Sequence, residues 1–285
     1  MIFVTGATGN VGSEVARELV KQKLDFRIGV RGNMLEPIET KSSTVQFDFL
    51  DPTTFAQAVK GCTAVFLLRP PAISNTKRTL NVFVDVARQS GVKQIVFVSV
   101  AGAEHNPLLP HYAVEQHLII GPADWTILRP GFFVQNLGGP YREDICQDNR
   151  IYLPAGQARV AFIDARDIAA VAASALSMPD EHCTKSYTLT GPRALSFTDL
   201  AAILSRAIGR HIAYQPASLL GYISHLRGRG MPVMQIAVQT ILHVGLRFGQ
   251  AQSVDLTLGH LLNRKPYSVE DYVRDHHSLW SQSQY

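Results

Sequence analysis

Three glycines recur at a fixed interval near the start of the chain. In FVTGATGNVGSEV, Gly6, Gly9 and Gly12 are spaced G-x-x-G-x-x-G, between an apolar run and a helical pattern. A strand, a glycine turn and a helix in that order form a place for phosphate. Gly6 permits the tight turn, and Gly9, preceded by Thr8, lets the backbone approach a pyrophosphate. The amides of Asn10 and Val11 then donate to it from a helix start whose dipole favours negative charge, while Gly12 keeps helix and turn close. A dinucleotide is the expected ligand, against the alternative of a glycine-rich turn that holds nothing.

Which dinucleotide is expected depends on the end of the second strand, about 20 residues on, where an acidic side chain would serve ribose hydroxyls. The chain reads RIGVRGN there. Arg31 stands in place of the acid, with Arg27 earlier on the same strand. A guanidinium on a 2′-phosphate is worth roughly 1.5 to 3 kcal/mol, so NADPH is expected in preference to NADH; otherwise Arg31 is a solvated surface residue. Asp48, closing the third strand, suits either the adenine amino group, with Phe49 beside the ring, or a cap on the helix begun by DPTTF. Leu68 and Arg69 end the fourth strand where the nicotinamide half would lie. Arg69 there serves cofactor phosphate, an anionic substrate or only its own loop. His111 is the candidate proton source, because an ordinary imidazole titrates near pH 6.5; the alternative is a surface residue at a helix end.

The elements that must position these residues follow from periodicity. Short apolar runs (MIFVT, FRIGV, TVQFD, TAVFLL, QIVFVSV, DWTIL) alternate with helical patterns such as VGSEVARELVKQ and TLNVFVDVARQSG. Strands of nearly continuous Val, Ile and Phe suit a parallel sheet buried on both faces, and right-handed crossovers wind it in both directions. The expected fold is α/β, a Rossmann-like doubly wound parallel sheet with a small, mostly helical C-terminal lobe. The sheet domain is expected over 1–131, with 158–178 returning to it, and the lobe over 179–285 together with 132–157. Asp164 and Asp167 in IDARDIA read as a helix cap and its first-turn partner.

Among the 285 residues, Lys plus Arg number 27 and Asp plus Glu 23, a net charge of +4 with the basic residues scattered. Nucleic acid is not an expected partner. Cys62, Cys146 and Cys183 are odd in number and lack metal spacing, as do the histidines, so reduced thiols and no metal site are expected. MIFVTGATGN has no basic leader, and no apolar run approaches a membrane span, so a cytoplasmic protein without a membrane partner is expected.

VTGATGNVG, the VR that ends the second strand, DWTILRPGFFVQN and IDARDIA together resemble the NmrA-like family of atypical short-chain dehydrogenases/reductases over nearly the whole chain. YTLTGPRALSFTDLAAILSRAIGRHIAY and NRKPYSVEDYVRDH are similar to the C-terminal landmarks of its bacterial NAD(P)H-dependent azo, quinone and triphenylmethane-dye reductase branch. In that family a glutamate stands ten positions ahead of the tryptophan, here Glu115. Counting back from it, the short-chain lysine register lands on His111 and the tyrosine register on Pro107. Tyr112 and Gln116 are an accidental half-match, and the proton-relay pair is absent. The resemblance implies a hydride-transferring reductase of quinone-like, azo or other conjugated aromatic acceptors, for which a strong general acid is dispensable. It further implies that Pro130 and Phe132 flank the nicotinamide and that Ser99 matches an orienting hydroxyl. Phe133, Tyr141, Met231 and Met234 would line an aromatic pocket, with Phe132 and Phe133 alternatively core. Regulatory members imply a second reading, a non-enzymatic NADP(H) sensor that meets a partner protein through Gly221 to Gly249. Monomer and homodimer both remain open.

Overall fold

The apolar runs form strands and the amphipathic stretches between them form helices, in a computed structural model that describes residues 1–32 and 42–281. In chain order these are β1 (Ile2–Val4), α1 (Asn10–Lys21), β2 (Phe26–Val30), β3 (Ser42–Gln46), α2 (Phe55–Val59) and β4 (Ala64–Leu68). They continue with α3 (Leu80–Gln89), β5 (Gln94–Val98), α4 (Pro110–Ile120) and β6 (Asp124–Pro130). Next come β7 (Phe132–Phe133), α5 (Arg142–Gln147), β8 (Arg150–Leu153), β9 (Arg159–Ile163), α6 (Ala165–Ser177), α7 (Pro179–His182) and β10 (Lys185–Leu189). The remainder is β11 (Ala194–Ser196), α8 (Phe197–Ile208), β12 (Ala213–Pro216), α9 (Leu219–Gly228), α10 (Val233–Leu246), α11 (Thr257–Leu262) and α12 (Val269–Asp275).

The chain divides into two units. The first, Met1–Pro130 with Ala165–Leu189 and His260–Asn263, carries a seven-stranded sheet in the order β10-β6-β5-β4-β1-β2-β3. Every neighbouring pair in it is parallel. This is a Rossmann-like fold. The central strands are buried throughout, which is why β5 reads QIVFV with no polar alternation. Under one face lies a cluster of Phe3, Phe47, Phe49, Phe55 and Phe83, whose rings meet mostly edge to face, Phe47 and Phe83 at 5.0 Å.

The second unit, Gly131–Asp164, Thr190–Gly259 and the chain from Arg264 onward, packs its helices with a three-stranded sheet, β11-β9-β7, and a two-stranded one, β12-β8. One boundary differs from the expectation. Residues 158–178 do not return to the main sheet as a strand and helix: α6 packs on α1 in the first unit, whereas β9 joins the small sheet between β7 and β11. The strand that does return is β10, expected in the lobe, which pairs with β6 from Lys185↔Thr126 to Leu189↔Pro130. It sits at the sheet edge with its first residues exposed, so KSYTL needs no continuous apolar run and carries little strand signal. All three cysteines are free, and no helix among the described residues is long and apolar enough to cross a membrane.

Candidate functional site

The glycine loop is stitched to the sheet by Thr5. Its amide and its hydroxyl both donate to Phe66 O at 3.1 Å, and its Oγ1 accepts from Leu68 N at 2.8 Å, so the end of β1 is tied to the end of β4. Gly6 then turns with φ +67°, in the left-handed region, where an added Cβ would also strike Leu68 Cδ2 at 2.9 Å. Gly9 N donates to Gly6 O at 3.0 Å and α1 begins without a side-chain cap. Its first intrahelical bond comes from Ser13 N, so the amides of Asn10, Val11 and Gly12 have no partner within the helix. An added Cβ on Gly12 would lie 2.1 Å from Gly6 O. Gly6, Thr8, Gly9 and Asn10 are exposed. A tight, uncapped helix start pressed against an open loop fits the pyrophosphate of a dinucleotide.

The flanking strand ends divide the sequence candidates. Arg31 is exposed one residue past β2, beside Gly32 with φ +74°. Arg27 is not beside it. Its Nη1 donates to Lys60 O at 3.0 Å and Ala58 O at 3.2 Å, closing the carboxyl end of α2, because it begins β2 while Arg31 follows its end. Asp48 Oδ1 accepts from Leu50 N at 2.9 Å in a local turn. The cap on the following turn is Asp51, which accepts from Thr53 N at 3.1 Å. Phe49 is core: 5% exposed, it stands edge-on to Phe47 at 4.7 Å and to Phe83 at 5.6 Å, so its ring is not free for adenine. Leu68 is half-buried against Gly6. Arg69 is a loop arginine. Its Nη1 donates to Ile73 O at 2.6 Å, Pro70 O at 3.1 Å and Pro71 O at 3.2 Å, and its Nε donates to His111 Nε2 at 3.1 Å.

The end of β5 and the helix α4 carry a buried charge network. Ser99, 2% exposed, gives its hydroxyl proton to Glu115 Oε1, so it has no proton left to orient a substrate. Glu115 is fully buried and receives Arg129 Nη2 on Oε2 at 2.7 Å and Arg129 Nε on both oxygens, at 3.1 and 3.2 Å. Arg129 Nη1 also reaches Ser186 Oγ at 3.2 Å, tying edge strand β10 to β6. His111 does not behave as an ordinary imidazole. Burial first, and then the Arg69 guanidinium, push its pKa from 6.5 down to about 3. It is neutral near pH 7 and holds no imidazolium proton to give.

In the second unit the residues expected around a substrate are mostly core. Pro130 closes β6 in the first unit and its carbonyl accepts from Ala101 N at 2.9 Å. Phe132, 7% exposed, packs edge-on to Phe162 at 5.8 Å, while Phe133 is half-buried. Tyr141 is 3% exposed, because its hydroxyl is held 2.5 Å from His243 Nε2. Tyr222 OH meets His243 Nδ1 at 3.2 Å and donates to Gln239 Oε1 at 3.2 Å. Met231 packs on this core and Met234 is 75% exposed, so the two methionines are not equivalent.

Burial lowers the His243 pKa to about 4. The folded protein therefore binds that proton less readily than the unfolded chain does. The cost is absent above about pH 6.5 and grows as pH falls to about 4, by roughly 1.4 kcal/mol per unit. His111 acts in the same direction. Thermal melts are expected to show wild-type Tm falling between pH 7 and pH 5 more steeply than that of His243→Gln; parallel curves would remove His243 from the acid response.

The model of the NmrA-like family matches residues 1–272. The chain belongs to the NmrA-like family. It is 36% identical over 239 residues to the NAD(P)H azoreductase of Xenophilus azovorans, covering 81% of this chain and 82% of that protein. It is 28% identical over 240 residues to quinone oxidoreductase 2 of Escherichia coli (strain K12), covering 81% of this chain and 83% of that one. The crystal structure of Citrobacter sp. triphenylmethane reductase complexed with NADP(H) superposes with a TM-score of 0.87, covering 96% of this chain and 99% of that one at 24% identity; it shares the fold.

Within this NmrA-like chain, sequence reasoning missed three features. Thr5 stands one residue before the motif, outside the glycine spacing. The Glu115–Arg129 pair had a visible signal, a charged residue interrupting the apolar WTIL-R-P strand, since a charge at such a position must be paired. His243 gave a weaker one, a lone imidazole in a helix free of Asp, Glu, Lys and Arg.

Proposed function

We propose that this NmrA-like chain is an NADPH-dependent reductase of quinone-like, azo or other conjugated aromatic acceptors, working without a tyrosine-lysine proton relay. The observation that carries this reading is the 36% identity to an NAD(P)H azoreductase over most of both chains. The nicotinamide cofactor, when bound, supplies a hydride. Gly6, Thr8, Gly9, Asn10, Val11 and Gly12 hold its pyrophosphate and Arg31 its 2′-phosphate. Leu68 and Pro130 end strands beside the nicotinamide half. A quinone or azo group reduced by hydride becomes a delocalised anion that solvent can protonate. An enzyme of such acceptors can therefore forgo the roughly 10² to 10⁴-fold that a general acid supplies. Its contribution is orientation.

The test is oxidation of NADPH and of NADH by benzoquinones, naphthoquinones and azo dyes, followed as loss of the reduced nicotinamide absorbance against a protein-free control. Turnover with an NADPH preference is expected, and Arg31→Ala should reduce that preference by about tenfold to a hundredfold. An unchanged preference would take Arg31 out of the 2′-phosphate site. NADPH binding without turnover of any acceptor would replace the reductase reading with that of a sensor.

A further inference from the structure

We propose that His111 is the group that meets the acceptor, donating a hydrogen bond from Nδ1–H to the oxygen or nitrogen being reduced, with Arg69 as the positioning residue that fixes its tautomer. The proposal rests on the reductase reading and gives it a catalytic residue. Arginine is a permanent donor, so Arg69 Nε, 3.1 Å from His111 Nε2, obliges that nitrogen to accept. A neutral imidazole then carries its hydrogen on Nδ1. Among the described residues Nδ1 is buried and has no hydrogen-bond partner, although His111 as a whole is only part-buried. A buried donor left without an acceptor calls for an explanation, and a ligand acceptor is one.

The surroundings hold the ring in that form. Arg69 is anchored by the carbonyls of Pro70, Pro71 and Ile73. His111 lies in the first turn of α4, whose start has no side-chain cap, and the positive end of a helix disfavours imidazolium. Glu115, one turn on, and Glu104 both face Arg129. On the other elements packed on α4, Lys77, Arg78 and His105 are exposed, and Asp85 pairs with His117. The downward displacement of the His111 pKa agrees with a ring that stays neutral.

Such a ring acts as an electrophile rather than an acid. The acceptor would gain one hydrogen and two electrons as hydride, which a bound reduced nicotinamide would supply and lose. The acceptor π bond opens, leaving an anion on oxygen or nitrogen. Nδ1–H stabilises that anion by a hydrogen bond and keeps its proton, and solvent protonates the product. Removal of one such donor lowers kcat by on the order of 10² to 10³-fold.

Nitrogen-15 NMR of the wild-type protein should show His111 protonated on Nδ1 and bare on Nε2 with no titration between about pH 5 and 8. The Nδ1–H resonance should move when 1,4-naphthoquinone is added to the protein with NADP⁺, a pair that cannot react. In turnover, His111→Asn, which keeps an N–H near the Nδ1 position, should stay within about tenfold of wild type. His111→Ala and His111→Gln should fall about a hundredfold in kcat, with KM for NADPH unchanged. An Nε2–H tautomer, a resonance indifferent to naphthoquinone, or a kcat governed by a group near pH 6.5 that vanishes in the variants would overturn the proposal. A naphthoquinone-dependent shift in a protein that turns over nothing would uphold the hydrogen bond while sinking the reductase reading.

Discussion

Glu115→Ala is expected to destabilise the fold by about 3 to 5 kcal/mol, the range for breaking a buried ion pair by removing one partner. Glu115 is fully buried and Arg129 is 12% exposed. The loss would leave a guanidinium inside the protein with, among the described residues, Glu104 at 3.4 Å and Ser186 to meet it, and would free the Ser99 hydroxyl. Glu115→Gln keeps the shape and one acceptor, so an intermediate loss is expected. Urea unfolding at pH 7 measures both. A loss below about 1 kcal/mol for the alanine variant, the level of an exposed pair, would mean that the network is solvated. The double variant Glu115→Leu, Arg129→Met should recover most of the stability, because a buried pair is often matched by apolar residues of similar volume. Stability recovered without function would separate the role of this pair in the core from any role at the site.

Gly12→Ala should abolish tight NADPH binding, with a loss on the order of a hundredfold, about 2.7 kcal/mol, and should lower Tm as well. The added methyl would lie 2.1 Å from Gly6 O, 2.5 Å from Gly6 C and 2.9 Å from Ala7 N, all backbone atoms that cannot swing aside. Helix α1 must then draw back from the loop and take its open amides with it. Gly9→Ala is the control that separates the two effects. Among the described residues its methyl meets Gly6 O alone, at an ordinary 3.5 Å, and its φ of −97° suits any residue. Tm should hold while NADPH affinity, read by fluorescence titration, falls because the methyl stands where the pyrophosphate approaches. If Gly9→Ala binds as wild type does, the phosphate does not lie over that turn.

The parts of the site that were legible from residue types are local ones. The glycine spacing reports on a turn and a helix start within a dozen residues, and Arg31 reports on the end of one strand. The unreadable parts are those in which a side chain chose a distant partner. Arg69 and His111 are separated by 42 residues and Tyr141 and His243 by 102, and no local pattern links them. Arg27 lies near the start of β2 and Arg31 just past its end, so one closes a helix and the other is exposed, because the strand runs from one end of the sheet to the other. Phe49 reads as available to a ring, yet it packs edge-on against Phe47 and Phe83 in the core.

The sequence by itself determined the βα order, the glycine spacing of the first turn and the lack of an acid at the end of the second strand, since periodicity and spacing carry these along the chain, and its motifs carried a resemblance to a family. The tertiary structure decided which edge strand completes the main sheet, and that β9 pairs with β7 and β11 in a sheet of its own. It also decided that Ser99, Arg69, Tyr141 and His243 are committed to partners inside their own units. The physical reason is that a buried polar atom must find a partner wherever the fold puts one, and that choice is made across space rather than along the chain.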